Sequence, residues 1–467
     1  MKKRTRLLLL LFGDAVALNI AAVITFYYRF MSGAFANPIQ LYWTDAPLPF
    51  LVLTVAWMGL FAFNGLYAIK QTISRADELL TIWKVAIIAV LLLFLLTMEP
   101  ANPLSQGRKA LLLYGVLIAI LVGVNHFLVH TVHRNLLARG RGHQNTLLVG
   151  WNPLGKEYYE KIAEYPALGL NVIGFVTTAP ERCKGECLDN GPEVLGGVEN
   201  LPALIKELDV SQIVIALESS DHDRLLDIIR LTENEPVSLK IIPDLYDIIS
   251  GQARTNQIYG IPLIEIMPEI MPVWERVIKR GIDVLVSGIA LLLFTPFWII
   301  IALAIKLDSK GPVIYKQERV GKDGEVFNIY KFRSMVQDAE KETGPVWAKE
   351  DDPRITNIGR LLRRLRLDEI PQLLNVLKGE MSLVGPRPER PVFAREIQKE
   401  LPLYSRRWRV RPGITGWAQV KHSYDATLED VKRKLEYDLF YIENMSLRMD
   451  LKILLNTFWV MLMGKGH

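Results

Sequence analysis

Residues Leu365 to Gln372 read LRLDEIPQ, and at their centre stand two adjacent carboxylates, Asp368 and Glu369. Arg360, Arg363, Arg364 and Arg366 lead into the pair and Pro371 follows it. Acids ahead of a proline suit the first turn of a helix, where they cap free N–H groups and meet the positive end of the dipole. Capping explains one acid and leaves the second without a task. Neighbours on a helix point about 100° apart, so each acid needs work of its own. One could attack phosphorus while the other holds a divalent metal that neutralises phosphate oxygens. Arg363, Arg366 and, further on, Arg387 supply guanidinium forks that grip phosphate bidentately, as lysine cannot. So much positive charge implies an anionic partner. Nucleic acid is not expected: no stacking aromatics of an RNA module are interleaved, and the arginines stand beside carboxylates and an apolar segment. A phosphate carried on a lipid fits that setting.

Those side chains need elements to hold them. Asn357 to Arg366 reads as an arginine-rich helix, and PQLLNVLKG as a second, with Pro371 in its first turn and Gly379 as its stop. VIYKQ and EVFNIYKF alternate on either side of Gly321, Lys322, Asp323 and Gly324, the pattern of a β-hairpin that delivers Lys331 and Arg333 to its end. Before it, Ile282 to Ile305 is apolar enough to span a bilayer. Yet Lys279 and Arg280 precede this stretch and Lys306 and Lys310 follow it, so a crossing puts one basic cluster on the wrong side. Pro296 removes a backbone donor at its middle. The expectation is a re-entrant hairpin bent at Thr295 and Pro296; an ordinary kinked span is the alternative.

The chain has 467 residues, half of them apolar, and a net charge of +5; its mean hydropathy is +0.19. Leu7 to Tyr28, Pro49 to Ile69, Leu79 to Met98 and Ala110 to Val132 are each about 20 residues long, the length of a membrane helix. Lys2, Lys3, Arg4 and Arg6, then Lys70, Arg75 and Lys84, then Arg134, Arg139 and Arg141 place both ends of a four-helix bundle in the cytoplasm, against the minor dissent of Arg108 and Lys109. A cleaved signal peptide also begins with a basic start and an LLLLLF run, but this run is longer than an h-region and no clear cleavage site follows. Cys183 and Cys187 are the two cysteines, too few for a disulfide framework or a zinc site. His126, His130 and His133 share a helical face at metal-like spacing; with no neighbouring carboxylate in view they read as interfacial residues.

Between the membrane segments the pattern turns to β-branched runs alternating with amphipathic helices. Thr146 to Gly150, LNVIGFVTT, Ser211 to Leu217 and VSLKIIP read as strands; Gly155 to Glu164, Glu199 to Leu208 and Asp223 to Glu233 read as helices. That alternation means a parallel sheet, a Rossmann-like domain over about 143–262. Its first turn, VGWNPLG, spaces Gly150 and Gly155 as a dinucleotide fingerprint does but puts Asn152 where the second glycine belongs. Nucleotide binding and a nucleotide-free scaffold that sets dimer geometry both remain open, and redox use of NAD is not expected.

KRGID, KFRSM, PRIT, LDEIPQLLNVLKGEMSLVGPRP and RPGITGWAQV follow one another in order over residues 275 to 467. In these runs the C-terminal half closely resembles the bacterial polyprenyl-phosphate phosphoglycosyl transferases of the monotopic superfamily, and the whole chain resembles the large members that start capsule, O-antigen or exopolysaccharide synthesis. The resemblance implies a membrane α plus α/β fold: a four-helix transmembrane domain (1–135), a Rossmann-like domain (143–262), a re-entrant membrane hairpin (275–306) and an α/β catalytic domain (307–467). It implies transfer of hexose 1-phosphate, glucose or galactose, from a UDP-hexose to undecaprenyl phosphate with release of UMP, at the cytoplasmic face of the bacterial inner membrane and in a homodimer. By the same resemblance Asp368 is the nucleophile of a phosphosugar-aspartyl intermediate and Glu369 a ligand of Mg²⁺. Lys331, Arg333, Arg354, Arg363 and Arg387 contact substrate phosphates, Pro412 to Gln419, with Thr415 and Gln419, shape the nucleotide side, and Lys279, Arg280, Asp283 and Pro296 belong to the hairpin anchored at the interface. The sequence departs from the pattern at Arg366, near which many relatives show serine or threonine, and this bears on sugar choice rather than mechanism. The helix over Leu447 to Met463 reads as interfacial or as packed core. Two rival functions are a glycosyltransferase releasing UDP and a membrane-bound nucleotide sensor or assembly scaffold in which the acids only cap a helix.

Overall fold

A computed structural model describes residues 3–33, 42–68, 75–98, 102, 104–178, 191–217, 221–232, 235–243, 263–266, 271–337, 352–421 and 428–462. The chain divides into two units, Met1–Pro268 and Glu269–His467. Cys183 and Cys187 lie outside the described residues, as do residues 244–262 at the end of the expected middle domain.

The first unit opens with α1 (Lys3–Phe26), α2 (Pro47–Phe63), α3 (Arg75–Leu96) and α4 (Gln106–Ala138). Three helices, α1 with its continuation to Met31, α3 and α4, are long and apolar enough to cross a membrane; α2 is apolar but has only 17 residues. It begins at Pro47, ahead of the apolar run, and stops at Phe63 with Asn64 as its C-cap, short of the end of that run. Leu18, Ala21, Phe61, Ile82, Ile118 and Val122 are buried between these helices, whereas Leu51, Ile88, Leu96 and Val116 face outward. Apolar residues on the outside as well as the inside are what a lipid surround requires.

The interior of this bundle corrects one reading of the sequence. His126 is buried against two carboxylates, with Nε2 3.0 Å from Asp14 and Nδ1 2.9 Å from Glu78. The histidines do have acidic neighbours, supplied from α1 and α3 by packing that no sequence spacing reveals.

The unit continues as a six-stranded sheet of β1 (Gln144–Val149), β2 (Leu170–Thr177), β3 (Val194–Gly197), β4 (Gln212–Ile215), β5 (Ser238–Ile241) and β6 (Ile264–Ile266), in the order β3-β2-β1-β4-β5-β6. The first five run parallel and β6 closes the edge antiparallel to β5, so the sheet extends past residue 262. Leu147, Leu148 and Val149 of the central strand are fully buried, as a strand covered on both faces should be. The helices α5 (Pro153–Glu164), α6 (Leu201–Glu207) and α7 (His222–Thr232) fall where the sequence pattern puts them. At the switch point between β1 and β4, Asn152 caps α5 by accepting from Gly155 N at 2.8 Å and donates to Ala216 O at 2.6 Å. Gly150 there has φ +121° and a Cβ on it would meet Ala216 O at 2.3 Å, so its glycine serves strand packing. Asn152 thus occupies the helix N-terminus that a dinucleotide phosphate takes in the fingerprint.

The second unit begins with α8 (Val273–Leu293) and α9 (Thr295–Asp308), bent by 65° at Phe294 with Pro296 in the first turn of the second helix. Leu292, Leu293, Ile300 and Leu307 stand exposed along them. The hairpin β7 (Ile314–Val320) and β8 (Val326–Phe332) pairs in register from Ile314↔Phe332 to Val320↔Val326 around a turn with Asp323 at φ 56°. Then come α10 (Asn357–Arg364), capped by Thr356 Oγ1, and α11 (Gln372–Lys378), stopped by Gly379 at φ 88°. β9 (Ser382–Val384) pairs parallel with β10 (Gly413–Thr415), and α12 (Pro391–Glu400), α13 (Trp417–Lys421), α14 (Leu428–Glu443) and α15 (Leu447–Leu462) complete the unit. α15 buries Ile453 and exposes Leu451, Leu455, Phe458 and Trp459, so it has both a core face and an apolar outer face.

Lys279, Arg280 and Asp283 clamp α8 onto this unit. Lys279 Nζ bonds Asp450 at 2.6 Å and Val384 O at 3.0 Å, and Asp283 accepts from Leu383 N at 3.1 Å. Arg280 donates to Val376 O at 2.6 Å and Leu377 O at 2.9 Å, satisfying carbonyls at the end of α11.

Candidate active site

Asp368 and Glu369 do not cap an α-helix. They lie on a single tight turn, Leu367–Glu369, between α10 and α11, and neither side chain caps α11, whose N-cap is Pro371. The chain enters this turn through Arg366 at φ 56°, a left-handed conformation costing a non-glycine residue about 1 kcal/mol. Both acids on this turn are buried, each 8% exposed. The capping account therefore fails for both.

Their surroundings treat them differently. Lys331 Nζ, from the end of β8, donates to Glu369 Oε1 at 3.0 Å, and Arg387 donates to the same oxygen at 2.5 Å and to Oε2 at 3.4 Å. Burial alone would push Glu369 up, but Arg387 and Lys331 outweigh it and hold the carboxyl well below the usual range. The same ion pair raises Arg387, while burial draws Lys331 down against the pull of Glu369. Asp368 goes the other way: burial first, then the charge of Glu369, push it above the ordinary aspartate value, opposed by Lys331, Arg363 and Arg387. Among the described residues no side chain is recorded donating a hydrogen bond to Asp368. One acid is a fixed anion gripped by two cations; its neighbour is a buried carboxylate with no such grip, the condition of a nucleophile rather than of a structural ion.

Arg363 stands on α10 with Nε on Ser334 Oγ at 2.9 Å, and burial lowers it while Asp368 pulls it up. Lys331, Arg363 and Arg387 thus converge on the acids. Arg333 does not. It is buried with its guanidinium on Ser309 O at 2.7 Å and Ser309 Oγ at 2.9 Å, closing the end of α9. Arg354 forms a fork with Asp352 at 2.8 and 2.5 Å and holds that carboxyl down to about 2. Thr415 Oγ1 meets Thr457 Oγ1 at 2.7 Å, and Gln419 Nε2 donates to Ile414 O at 3.3 Å, so both tie β10 and its flank to α15 and the backbone and make no recorded contact with the acids.

Arg387 also lines a cavity of about 220 Å³, together with Arg319, Glu389, Tyr404, Arg407 and Lys434 among others. Arg319 donates to Pro388 O at 2.9 Å, Arg407 to Arg387 O at 2.8 Å, and Lys434 to Glu389 at 3.0 Å. The sequence singled out none of these residues, although GPRPER and YSRRWR display the charge. Arg387 connects the two places: its side chain reaches Glu369 and it lines the cavity. A cavity lined by four cationic side chains thus adjoins, through Arg387, a buried carboxylate pair, a setting that suits an anionic, phosphate-bearing ligand.

For a small hard cation the donor set fits only in company with phosphate. Mg²⁺ usually takes one or two carboxylates from protein and the rest of its shell from substrate oxygens and water. Glu369 is here turned toward Lys331 and Arg387, so an ion beside it needs phosphate to draw those cations off.

Comparison with known proteins adds a family to this geometry. Residues 274–464 match the model described as bacterial sugar transferase, and residues 62–243 match one described as CoA-binding domain. A UDP-N-acetylgalactosamine-undecaprenyl-phosphate N-acetylgalactosaminephosphotransferase of Aeromonas hydrophila is 44% identical over 48% of this chain and 52% of its own length. UDP-glucose:undecaprenyl-phosphate glucose-1-phosphate transferases of Escherichia coli (strain K12) and Xanthomonas campestris pv. campestris are 33% and 31% identical. The first of these two covers 65% of this chain and 64% of its own length, the second 78% and 75%. The match thus spans about half to three quarters of these relatives.

Proposed function

The chain belongs to the bacterial sugar transferase family, and on that footing we propose that it transfers a hexose 1-phosphate from a UDP-sugar to undecaprenyl phosphate, releasing UMP. The observation that carries the reading is the divided carboxylate pair: Glu369 held ionised by Lys331 and Arg387, Asp368 buried beside it with its carboxyl raised.

An oxygen of Asp368 attacks the phosphorus that bears the sugar, the P–O bond to UMP breaks, and UMP leaves with the electron pair. A phosphate oxygen of the lipid then attacks the phosphosugar-aspartyl phosphorus and returns Asp368 as carboxylate. Two half-reactions let a water-borne donor and a lipid-borne acceptor use one site in turn. Lys331 and Arg387 exchange Glu369 for phosphate oxygens as the donor arrives, and Arg363 faces Asp368 from α10. The cavity beyond Arg387 receives the nucleotide side of the donor. Glu369 and the donor's phosphates would hold Mg²⁺, which supplies charge neutralisation at the phosphate oxygens.

Four helices of the N-terminal bundle would lie in the inner membrane, with α2 the short one, and α8 with α9 would enter and leave it on the cytoplasmic side. The support is the 65° bend, the exposed leucines on both arms, and the basic residues at both ends. The catalytic face would thereby sit at headgroup depth, where the lipid phosphate lies. A homodimer built on the membrane or α/β domain remains part of this proposal.

Sugar identity is where the named relatives differ, two carrying glucose and one N-acetylgalactosamine in their names. A panel of UDP-glucose, UDP-galactose and their N-acetyl forms, incubated with membranes, Mg²⁺ and undecaprenyl phosphate, should release UMP from at least one. Release of UDP in its place, or no nucleotide from any of them, refutes the reading.

A further inference from the structure

Inside the N-terminal bundle lies a cluster that phosphoryl transfer does not use. Glu78 on α3 and His126 and His130 on α4 bring one oxygen and two ring nitrogens to within 4.8 Å of one another. Glu78 Oε1 is 2.9 Å from His126 Nδ1, and Glu78 Oε2 meets His130 Nε2. The two histidines stand one helical turn apart, so their rings project from the same face. Behind them, Asp14 is fully buried, 3.0 Å from His126 Nε2, and is itself oriented by Asn125 at 2.8 Å and Tyr67 at 2.9 Å.

We propose that Glu78, His126 and His130 form a binding site for a divalent first-row transition cation, with Asp14 as the carboxylate that orients His126. Several features support it. The donors are two imidazoles and a carboxylate, a set that suits zinc and its neighbours and not magnesium or calcium. A ring nitrogen facing the ion while the other donates to a buried carboxylate is the arrangement metal-bound histidines show, and His126 has it with Asp14. Burial also favours a cation, because two carboxylates, one of them fully enclosed, sit among membrane helices, where the arginine seen at the cluster among the described residues is Arg6. Tetrahedral bonds of about 2.0–2.1 Å place donors about 3.3 Å apart, so Glu78 and His126 would part by a few tenths of an ångström while the set as a whole, which lies within 4.8 Å, would draw in toward that spacing. The bound ion would clip α3 to α4, with α1 held through Asp14.

Arg6 gives the proposal its sharpest discriminator. Its guanidinium lies 3.1 Å from His130 Nδ1 and 3.4 Å from Nε2, so it competes with an ion at that ring. If the cluster is only an ion-pair lock, Arg6→Gln loosens it; if it is a metal site, Arg6→Gln leaves metal affinity unchanged or tightens it.

The test is Co²⁺ titration of the full chain in lipid nanodiscs, read by visible absorption with Zn²⁺ as competitor, in an Asp368→Asn background that separates the result from catalysis. One saturable Co²⁺ per chain with a four-coordinate nitrogen and oxygen spectrum is expected, displaced by Zn²⁺. His126→Gln with His130→Gln should abolish it, and Asp14→Asn should weaken it about 10- to 100-fold. No saturable band in the parent protein overturns the proposal whether or not the variants fold. A band that survives in the folded double variant overturns it equally.

Discussion

Substituting Asp368 and Glu369 one at a time by their amides should move stability in opposite directions while both changes stop turnover. Glu369 is 10% exposed at its side chain and neutralises Lys331 and Arg387, themselves 18% and 28% exposed. Glu369→Gln leaves two cations facing each other across a neutral amide. Breaking a buried pair costs 3–5 kcal/mol, and the partial exposure of Arg387 points to the lower end, about 3 kcal/mol. In a unit of about 200 residues each kcal/mol is worth about 2–4 °C, so Tm should fall by about 6–12 °C. Asp368→Asn works the other way. The raised carboxyl means that its ionised form is less at ease in the fold than in the unfolded chain, so removing that charge at pH 7 should raise Tm. The assay is a thermal melt of the full chain in nanodiscs, followed by intrinsic fluorescence, with UMP release measured on the same samples. Two amide variants that lose stability alike would refute the division of labour between the acids.

Acidity supplies a second check on that pair. Glu369 is held below its ordinary value of 4.5, so its contribution is present above that pH and lost only as pH falls through the lower folded value. The Tm gap between the parent and Glu369→Gln should therefore stay constant from pH 8 to about 5 and close below 4.5. For Asp368 the sign is reversed, so single-turnover UMP release should show an acid limb above the ordinary 3.8. Arg387→Gln, losing a charge-assisted hydrogen bond of about 2 kcal/mol, should raise the donor KM about 30-fold. Arg333→Gln should lower Tm through the end of α9 and leave that KM within about twofold, since its bonds go to Ser309 and not to the acids. Asn152→Ala should cost about 1 kcal/mol of stability through the lost cap and leave UMP release intact.

Much of this could be read before any coordinates. Pro371 and Gly379 bracket α11, the alternation around Gly321 to Gly324 gives the β7–β8 hairpin, and β-branched runs mark the parallel strands, because each is a local backbone preference written in a few residues. The acids were legible as a pair with arginines about them, whereas the pairing of Lys331 and Arg387 with Glu369 itself was not. What escaped depended on where strands stop and how helices meet. Lys331 and Arg333 are two apart and would share a face on a continuing strand, but β8 ends at Phe332, and the alternation no longer governs Arg333. Thr415 and Gln419 sit in a conspicuous motif whose side chains serve packing with α15 and local backbone. Asp14 and Glu78 are 112 and 48 residues from His126, so their meeting is a product of helix packing alone. The tight turn at Arg366 is a left-handed arginine, and no residue-type signal announces one.

The covalent half-reaction isolates the role of Asp368. Full-length protein in nanodiscs, given Mg²⁺ and the UDP-sugar selected from the panel but no lipid acceptor, should release UMP in a stoichiometric burst. It should also gain the mass of a phosphohexose on the peptide carrying Asp368, and undecaprenyl phosphate should then discharge that adduct. UMP release that waits for the acceptor, or an adduct on any other residue, would contradict the assignment of Asp368 as the nucleophile.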